Sequence, residues 1–154
     1  MSTDEAWSRR RGIAEAKMQL RELRLELGTL SHLVGARIQL KDSDLDTLDV
    51  ITRHGPLTPT ALARRTGIHL ATLTGILNRL EAAGWIVRER VDSDRRAIAI
   101  RAVPDRQRDV FQLYSGMDAS LDEILGSYSA DELTVIVDFL RRATHAGRAA
   151  AEEL

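Results

Sequence analysis

One predicted helix, ending before Gly84, has an apolar stripe on one side and small or short polar residues on the other. The apolar residues recur at the spacing of one buried helix face: Leu73, Ile76, Leu77 and Leu80. The opposite face and its edges hold Thr72, Thr74, Gly75, Asn78 and Arg79, with His69 at the helix start. A glycine inside a helix costs about 1 kcal/mol relative to alanine, which indicates that the backbone here comes close to something outside. Such a face can meet base edges in the major groove of DNA, although an ordinary solvated face fits the helix alone equally well. The histidine can donate to a phosphate or cap the helix.

A basic hairpin is predicted directly after this helix. Residues 86–91 alternate β-branched and charged side chains as a half-buried strand does, residues 92–94 have turn chemistry, and residues 97–100 return as a second strand. The charged residues that we select as candidates for DNA contact are Arg88, Arg90, Asp94, Arg95 and Arg96. An arginine at the tip can enter the minor groove, where the negative potential is enhanced if the groove is narrow, and the aspartate can orient one arginine. A solvated polar hairpin is the alternative.

A short helix precedes these two elements. Pro59 at the first helical position suits a helix start, and Gly67 can take the left-handed conformation that ends a helix. Leu57 and Thr58 form a brief extended piece that can pair with the hairpin. The two helices, the tight turn between them and the hairpin predict a winged helix-turn-helix.

Over residues 57–100 the sequence resembles the MarR family (multiple antibiotic resistance regulators) of bacterial winged-helix transcription factors. The resemblance is carried by Leu57, Thr58, Leu62, Ala63, Gly67, Thr72, Thr74, Leu80, Glu81, Gly84, Arg88, Asp94, Arg95 and Arg96. Ala61 stands where the family usually has glutamate, so the capping box expected after Thr58 is incomplete. Val91 and Val103 also depart from the family pattern, which often has an aspartate and a helix-capping threonine there.

The resemblance implies a fold that is mainly α with a small β-hairpin wing, in which a winged helix-turn-helix is flanked by terminal dimerisation helices. It implies a homodimeric transcriptional regulator that binds a pseudo-palindromic operator of double-stranded DNA. Of the two kinds of regulator, it implies a repressor rather than an activator. It also implies a small aromatic effector that binds between the DNA-binding and dimerisation parts. His32 and Arg37 lie near the position of that family cavity, and a structural or solvent-facing role is the alternative for both.

Apolar repeats near both ends of the chain indicate the dimerisation helices. A helix is predicted from about residue 3 to 40, along which Ile13, Leu20 and Leu27 recur every seven residues. Such a heptad seam requires a partner helix, and packing within the same chain is the alternative. The final helix has an apolar stripe that includes Val137 and Leu140.

These elements predict three parts of the chain: a dimerisation helix over residues 1–40, a winged helix-turn-helix over 41–103, and dimerisation helices over 104–154. Ser43 or Asp44 is expected to cap the helix that opens the second part. The last helix begins with a capping box over residues 129–132.

Charge is distributed unevenly along the chain. The 154 residues carry 22 basic and 23 acidic residues, a net charge of −1. Residues 53–108 hold 11 arginines and 5 acidic residues, whereas residues 109–154 hold 3 arginines and 9 acidic residues. A basic segment beside an acidic one predicts a surface that faces nucleic acid on one side only. A winged helix that binds an acidic protein partner instead of DNA is the competing class, and the salt dependence of binding distinguishes the two.

Several other classes find no support in the composition. The chain has no cysteine, which excludes disulfides and thiolate zinc sites. No apolar run approaches the roughly 20 residues of a membrane span, and no signal-peptide core is present, so we expect a cytoplasmic protein without a membrane partner. The four histidines are far apart and no metal-binding, phosphate-binding or catalytic motif appears. We therefore expect no metal, no cofactor and no enzymatic activity.

Overall fold

The computed structural model describes residues 3–91 and 94–153, which are mainly helical with a two-stranded hairpin. In chain order the elements are α1 (Thr3–Arg37), α2 (Asp42–His54), α3 (Pro59–Thr66), α4 (Leu70–Ala82), β1 (Ile86–Val91), β2 (Asp94–Ala102), α5 (Pro104–Gly126) and α6 (Ala130–Glu152). The predicted fold class, mainly α with a small hairpin wing, is confirmed. Within the described residues, no helix combines the length and apolar character needed to cross a bilayer.

The chain divides into two compact units, Met1–Leu113 and Tyr114–Leu154, and the division falls inside α5. The two predicted boundaries do not coincide with this division. The boundary after residue 40 falls between α1 and α2, and the boundary after residue 103 falls at the start of α5. They remain predictions about function.

Local signals in the sequence set the ends of α3. The Thr58 side-chain oxygen accepts a hydrogen bond from the backbone N–H of Ala61 at 3.2 Å. Pro59 takes the first helical position, where a missing N–H costs nothing. Gly67 ends the helix with φ at 71°, in the left-handed region that favours glycine. The chain can therefore turn at once into α4.

The start of α2 differs from the prediction, whereas the start of α6 agrees with it. Lys41 occupies the cap position of α2 without a side-chain hydrogen bond, so Ser43 and Asp44 are not caps. Asp44 is buried in the first turn instead, because its carboxylate has an arginine partner on another helix. At α6, Ser129 and Glu132 form the expected capping box.

An apolar core joins α2, α3, α4 and the hairpin. The residues of α4 in this core are the predicted stripe Leu73, Ile76, Leu77 and Leu80. The other elements contribute Leu48, Ile51, Leu62, Trp85, Ile86, Ile100 and Ala102. Burial of one large aliphatic side chain contributes roughly 1.5–3 kcal/mol, so this core holds α4 with its stripe inward and its polar face outward.

The hairpin pairs antiparallel, with Ile86 opposite Ala102. Leu57 adds a short third piece through two backbone hydrogen bonds with Ile100, at 3.1 and 2.7 Å, as the sequence predicts. β2 begins at Asp94, earlier than predicted, because the register shifts after Arg90 and brings Val91 opposite Asp94. The backbone of Asp94 is therefore strand and not turn, while Asp92 and Ser93 lie outside the described residues.

The terminal helices leave their apolar faces exposed. No residue of α5 or α6 is buried, and α1 ends at Arg37, three residues before its predicted end. The predicted seam residues of α1 and the predicted stripe residues of α6 are all among the exposed large hydrophobic residues: Ile13, Leu20, Leu27, Val137 and Leu140.

Candidate nucleic-acid interface

The outer face of α4, which we define as Thr72, Thr74, Gly75, Asn78 and Arg79, lies opposite the core. The side chains of Thr72, Thr74 and Asn78 are exposed. The Thr74 hydroxyl donates to the Leu70 carbonyl at 2.8 Å, which commits its proton to the helix and leaves its oxygen as an acceptor. His69 stands at the cap position of α4 and is exposed, but its side chain makes no capping hydrogen bond. It therefore keeps its ring nitrogens for another partner.

Arg79 is held in place by an ion pair with Asp44 of α2. Its Nε and Nη2 atoms donate to the two carboxylate oxygens at 2.9 and 2.7 Å. The Asp44 side chain is 4% exposed and the Arg79 side chain 47% exposed. The hydrogen bonds from Arg79 hold the pKa of the Asp44 carboxyl below its usual range, although burial acts in the opposite direction. The pair thus joins α4 to α2 and leaves Nη1 of Arg79 for an outside partner.

The packing around Gly75 gives no internal reason for a glycine. A Cβ atom built there would meet Nη1 of Arg79 at 3.6 Å, an ordinary van der Waals distance. Alanine would fit this space and would favour the helix. Close approach of an external partner to the backbone remains the interpretation of this glycine.

Arg88 of β1 reaches across to α4. Its Nη2 atom donates to Oδ1 of Asn78 at 2.9 Å, and its Nη1 atom donates to the Glu81 carboxylate. The Arg88 side chain is 27% exposed. The structure therefore gives this arginine a contact with the outer face of α4, beside the DNA contact that the sequence predicts for it.

The rest of the hairpin is described in part. Arg90 is exposed near the end of β1 and forms no ion pair with the described residues. The side chains of Asp94, Arg95 and Arg96 lie outside the part that the structure describes, so the minor-groove contact and the orienting role of the aspartate stay predictions.

Much of the positive charge of residues 53–108 is already paired within the chain. The described ion pairs with nearby carboxylates are Arg53–Asp49, Arg79–Asp44, Arg88–Glu81, Arg101–Glu89, Arg106–Asp109 and Arg108–Asp105. Hydrogen bonding from Arg101 lowers the pKa of the Glu89 carboxyl. Arg64 of α3 is exposed, and Arg65 contacts His54 at 3.1 Å rather than a carboxylate. Among the described residues of this segment, the arginines without a carboxylate partner lie on α3 and β1, both of which pack against α4.

The two predicted effector residues are separate in the structure. His32 has Nδ1 3.0 Å from Oδ1 of Asp42, and both side chains are exposed. Arg37 is exposed in the last turn of α1, and no hydrogen bond joins it to His32 among the described residues. Their role in ligand binding stays a prediction. Across residues 3–91 and 94–153, no three histidine or acidic residues form a group that could hold a metal ion.

Sequence reasoning missed two contacts that fix α4. Asp44 falls at helical spacing from Leu48 and Ile51 on the buried face of α2, and a carboxylate on such a face requires a charged partner. That signal was available in the sequence. The second contact left no comparable signal in the sequence. Arg106 of α5 lies 4.1 Å from the centre of the buried Trp85 ring and donates to the Ala83 carbonyl at the end of α4.

These observations define a class of protein. α3 and α4 form a helix-turn-helix, and β1 and β2 form the wing beside it. Hydrogen-bonding groups cover the outer face of α4, and basic side chains lie on the neighbouring elements. The arrangement is that of a winged-helix DNA-binding domain.

Comparison with known proteins gives the family. A sequence model described as MarR family matches residues 38–97. The uncharacterized HTH-type transcriptional regulator YcgE of Bacillus subtilis is 29% identical over 140 residues, which cover 88% of this chain and 91% of the relative. The HTH-type transcriptional repressor YetL of the same organism is 30% identical over 84 residues, or 54% of this chain and 50% of the relative. Streptococcus pneumoniae FabT, solved in complex with DNA, has a TM-score of 0.65 at 23% identity, over 90% of this chain and 97% of that chain.

The family model over residues 38–97, the regulator relatives and the fold of the solved MarR-family structures together support a MarR-family winged-helix regulator. The family inferred from residues 57–100 is thereby confirmed, and so is the winged-helix architecture. The part played by each residue of the outer face and of the hairpin remains a prediction.

Proposed function

We propose that the chain is a homodimeric transcriptional repressor that binds a pseudo-palindromic operator through α4 and the hairpin. The observation that carries the proposal is that the outer face of α4 is polar and exposed, and that contacts on the opposite side of the helix hold it in place. The apolar core and the Asp44–Arg79 ion pair hold this face before any ligand binds. A preorganised helix face of this kind suits the major groove, in which base edges offer both donors and acceptors.

Each candidate residue has a role in this proposal. Thr72 and Asn78 are exposed and would contact base edges, and Thr74 would act as an acceptor. His69 and Nη1 of Arg79 would donate to phosphates. The candidates for backbone and minor-groove contacts in the wing are Arg88, Arg90, Arg95 and Arg96, with Asp94 as an orienting partner. The backbone at Gly75 would approach the DNA.

The homodimer is supported by apolar side chains that the chain leaves exposed. Leu27 of α1 and Leu140 of α6 are 41% and 46% exposed, although both lie on stripes that predict burial. A second copy of the chain would cover these stripes. Two-fold symmetry would then present two copies of α4 to half-sites about one helical turn of DNA apart, or a multiple of it.

Repression and its release complete the proposal. YetL, a relative over about half of this chain, is described as a repressor. A small aromatic ligand near His32 and Arg37 would favour a dimer in which the two α4 helices no longer match the groove spacing. Such a ligand shifts the population because it binds the two spacings with different affinity.

A gel-shift titration tests the proposal. The full chain is titrated against DNA from the intergenic region upstream of its own gene, at two salt concentrations, with excess non-specific competitor. A discrete complex that survives the competitor, and that weakens as salt rises because phosphate contacts release counterions, is the expected result. Ligands are then screened for release of that complex.

Two variants test whether the wing contributes to binding in this complex. Joint replacement of Arg95 and Arg96 by alanine should lower operator affinity without a change in melting temperature. Arg108→Ala, which removes an exposed arginine of α5, is the control and should bind as the unmodified chain does. If the competitor removes all binding at both salt concentrations, the basic surface serves another partner, and the protein-binding class takes precedence.

A further inference from the structure

Arg88 and Asn78 lie on adjoining elements, β1 and α4. Strand pairing fixes the Arg88 backbone opposite Ile100, and the guanidinium of Arg88 spans two acceptors on α4. It donates to Oδ1 of Asn78 at 2.9 Å and to the carboxylate of Glu81, which lies three residues further along the helix. The bond to Glu81 joins opposite charges, and such bonds are stronger than neutral ones. Glu81 therefore favours retention of Arg88 on α4 when phosphates come near.

The chemistry of Arg88 decides which way the Asn78 amide faces. A guanidinium group has N–H donors and no acceptor, so the carbonyl oxygen of Asn78 must face it. The opposite orientation would set two N–H groups against each other. Among the described residues, the NH₂ group of Asn78 has no hydrogen-bond partner, and the side chain is exposed on the outer face of α4. Its two N–H donors are therefore the hydrogen-bonding groups of Asn78 that no described residue engages.

We infer that Arg88 restricts Asn78 to the role of hydrogen-bond donor, so that Asn78 selects guanine rather than adenine at one position of each operator half-site. This inference rests on the proposed function, because it assigns the base that one residue of the outer face recognises. Arg88 is the positioning residue, and Asn78 is the residue that touches the base.

The choice between the two purines follows from their major-groove edges. An unrestrained asparagine pairs with adenine through two hydrogen bonds, one accepted from the N6 amino group and one donated to N7. The bond from Arg88 holds the Asn78 oxygen towards β1 and engages one of its two lone pairs, so this oxygen is poorly placed to accept from N6 as well. Guanine presents N7 and O6 as neighbouring acceptors, which suits an amide that has donors to offer, whereas the adenine amino group would oppose the asparagine NH₂.

The test is selection of binding sites by the full chain from a randomised duplex library. Asn78→Ala identifies the position that Asn78 reads, since preference is lost there. Arg88→Ala frees the Asn78 oxygen, whereas Asn78→Asp keeps an oxygen for Arg88 and removes both donors. Arg90→Ala, which removes a neighbouring exposed wing arginine, is the matched control. Melting temperature is measured for each variant.

We expect the unmodified chain to prefer guanine over adenine about ten-fold at the Asn78 position, which corresponds to about 1.4 kcal/mol. Arg88→Ala should move the preference at that position towards adenine, and Asn78→Asp should lose the preference for guanine. 7-Deazaguanine at the same position, which lacks the N7 acceptor, should weaken binding by the unmodified chain and not by Asn78→Ala. Arg90→Ala should weaken all sequences alike.

Three results would overturn the inference: adenine selected by the unmodified chain at the Asn78 position, guanine retained by Arg88→Ala, or no position relaxed by Asn78→Ala. If Arg88→Ala does not fold, the preferences of Asn78→Asp and the 7-deazaguanine measurement decide. A library from which the unmodified chain enriches no sequence contradicts the proposed function itself. Enriched sites with an unchanged base preference in folded Arg88→Ala overturn this inference and leave the proposed function standing.

Discussion

The winged-helix segment buries its apolar side chains, whereas the terminal helices leave most of theirs exposed. From α2 to β2 the chain buries a core to which every helix and both strands contribute. α5 and α6 bury no residue at all, and α1 buries little besides Val34 near its end. The first region can hold its site by itself, whereas the helices at the two ends have faces that only another surface can cover.

In the proposed dimer, this difference would separate DNA recognition from subunit assembly. The outer face of α4 is set by the core beneath it and by Asp44, all within one chain. The distance between two such faces in a dimer would depend on the terminal helices. An effector of the kind proposed above would therefore change the spacing of the two faces without altering either one.

The largest expected effect on stability comes from a cavity in the core that supports α4. Leu80 is fully buried, so Leu80→Ala should lower the free energy of unfolding by about 4 kcal/mol, through lost transfer energy and a cavity. Urea denaturation at two protein concentrations measures it, and the loss should be the same at both. Leu140→Ala in α6 is the counterpart, and its effect should appear only at concentrations at which the chain is dimeric. An equal loss for Leu140→Ala at both concentrations would contradict the division between the two regions.

A charge in the seam of α1 should come next in size. Leu27→Glu places a carboxylate where the dimer would bury it, and should raise the dimer dissociation constant on the order of a hundred-fold, about 2.7 kcal/mol. Met18→Glu is the control, because Met18 is exposed on the opposite face of the same helix. Sedimentation equilibrium measures both variants. A Leu27→Glu chain that stays dimeric would mean that the seam packs within one chain.

Periodicity and capping chemistry in the sequence were enough to predict the local elements. The apolar stripe of α4, the glycine at 67 and the capping box before α6 depend on neighbours within a few residues, so a single sequence contains them. The start of β2 was predicted too late, because a shift in strand register leaves no mark in the alternation of side chains.

The contacts between candidate residues were not predictable in the same way. Arg79, Arg88 and Asn78 each appeared as an independent DNA contact. All three are engaged with other side chains: Arg79 with a residue 35 positions away, and Arg88 and Asn78 with each other, 10 positions apart. These pairings depend on how α2 and the hairpin pack against α4. Spacing along the chain identifies the outer face, and tertiary structure decides which of its atoms are free.

The Asp44–Arg79 pair joins α4 to α2, so its removal tests whether the winged-helix segment holds its own site in place. Asp44→Asn removes the charge with little change in shape, and should lower the free energy of unfolding at neutral pH by about 2 kcal/mol. Arg79 lowers the folded-state pKa of Asp44, so the stabilisation is present above the unfolded pKa of about 3.9 and is lost as the pH falls through the lower folded value. The unmodified chain should therefore lose stability more steeply than Asp44→Asn below about pH 4. Glu89→Gln, in an exposed pair, should change the free energy of unfolding little; equal effects of the two variants would remove Asp44 from the support of α4.

The smallest effect is expected for a substitution at Gly75, which should raise stability and lower operator affinity. Gly75→Ala should raise the free energy of unfolding by up to about 1 kcal/mol, since the space there accepts a methyl group. It should also lower operator affinity, because the added methyl group would stand between the α4 backbone and the DNA. Gly147→Ala is the matched control in α6, where a Cβ atom would meet nothing within 4 Å, and it should raise stability with operator affinity unchanged. Thermal unfolding and operator titration measure the two quantities. If Gly75→Ala gains stability and keeps full affinity, the backbone at this position does not approach DNA, and the outer face of α4 must be turned so that the threonines or Asn78 make the closest contact.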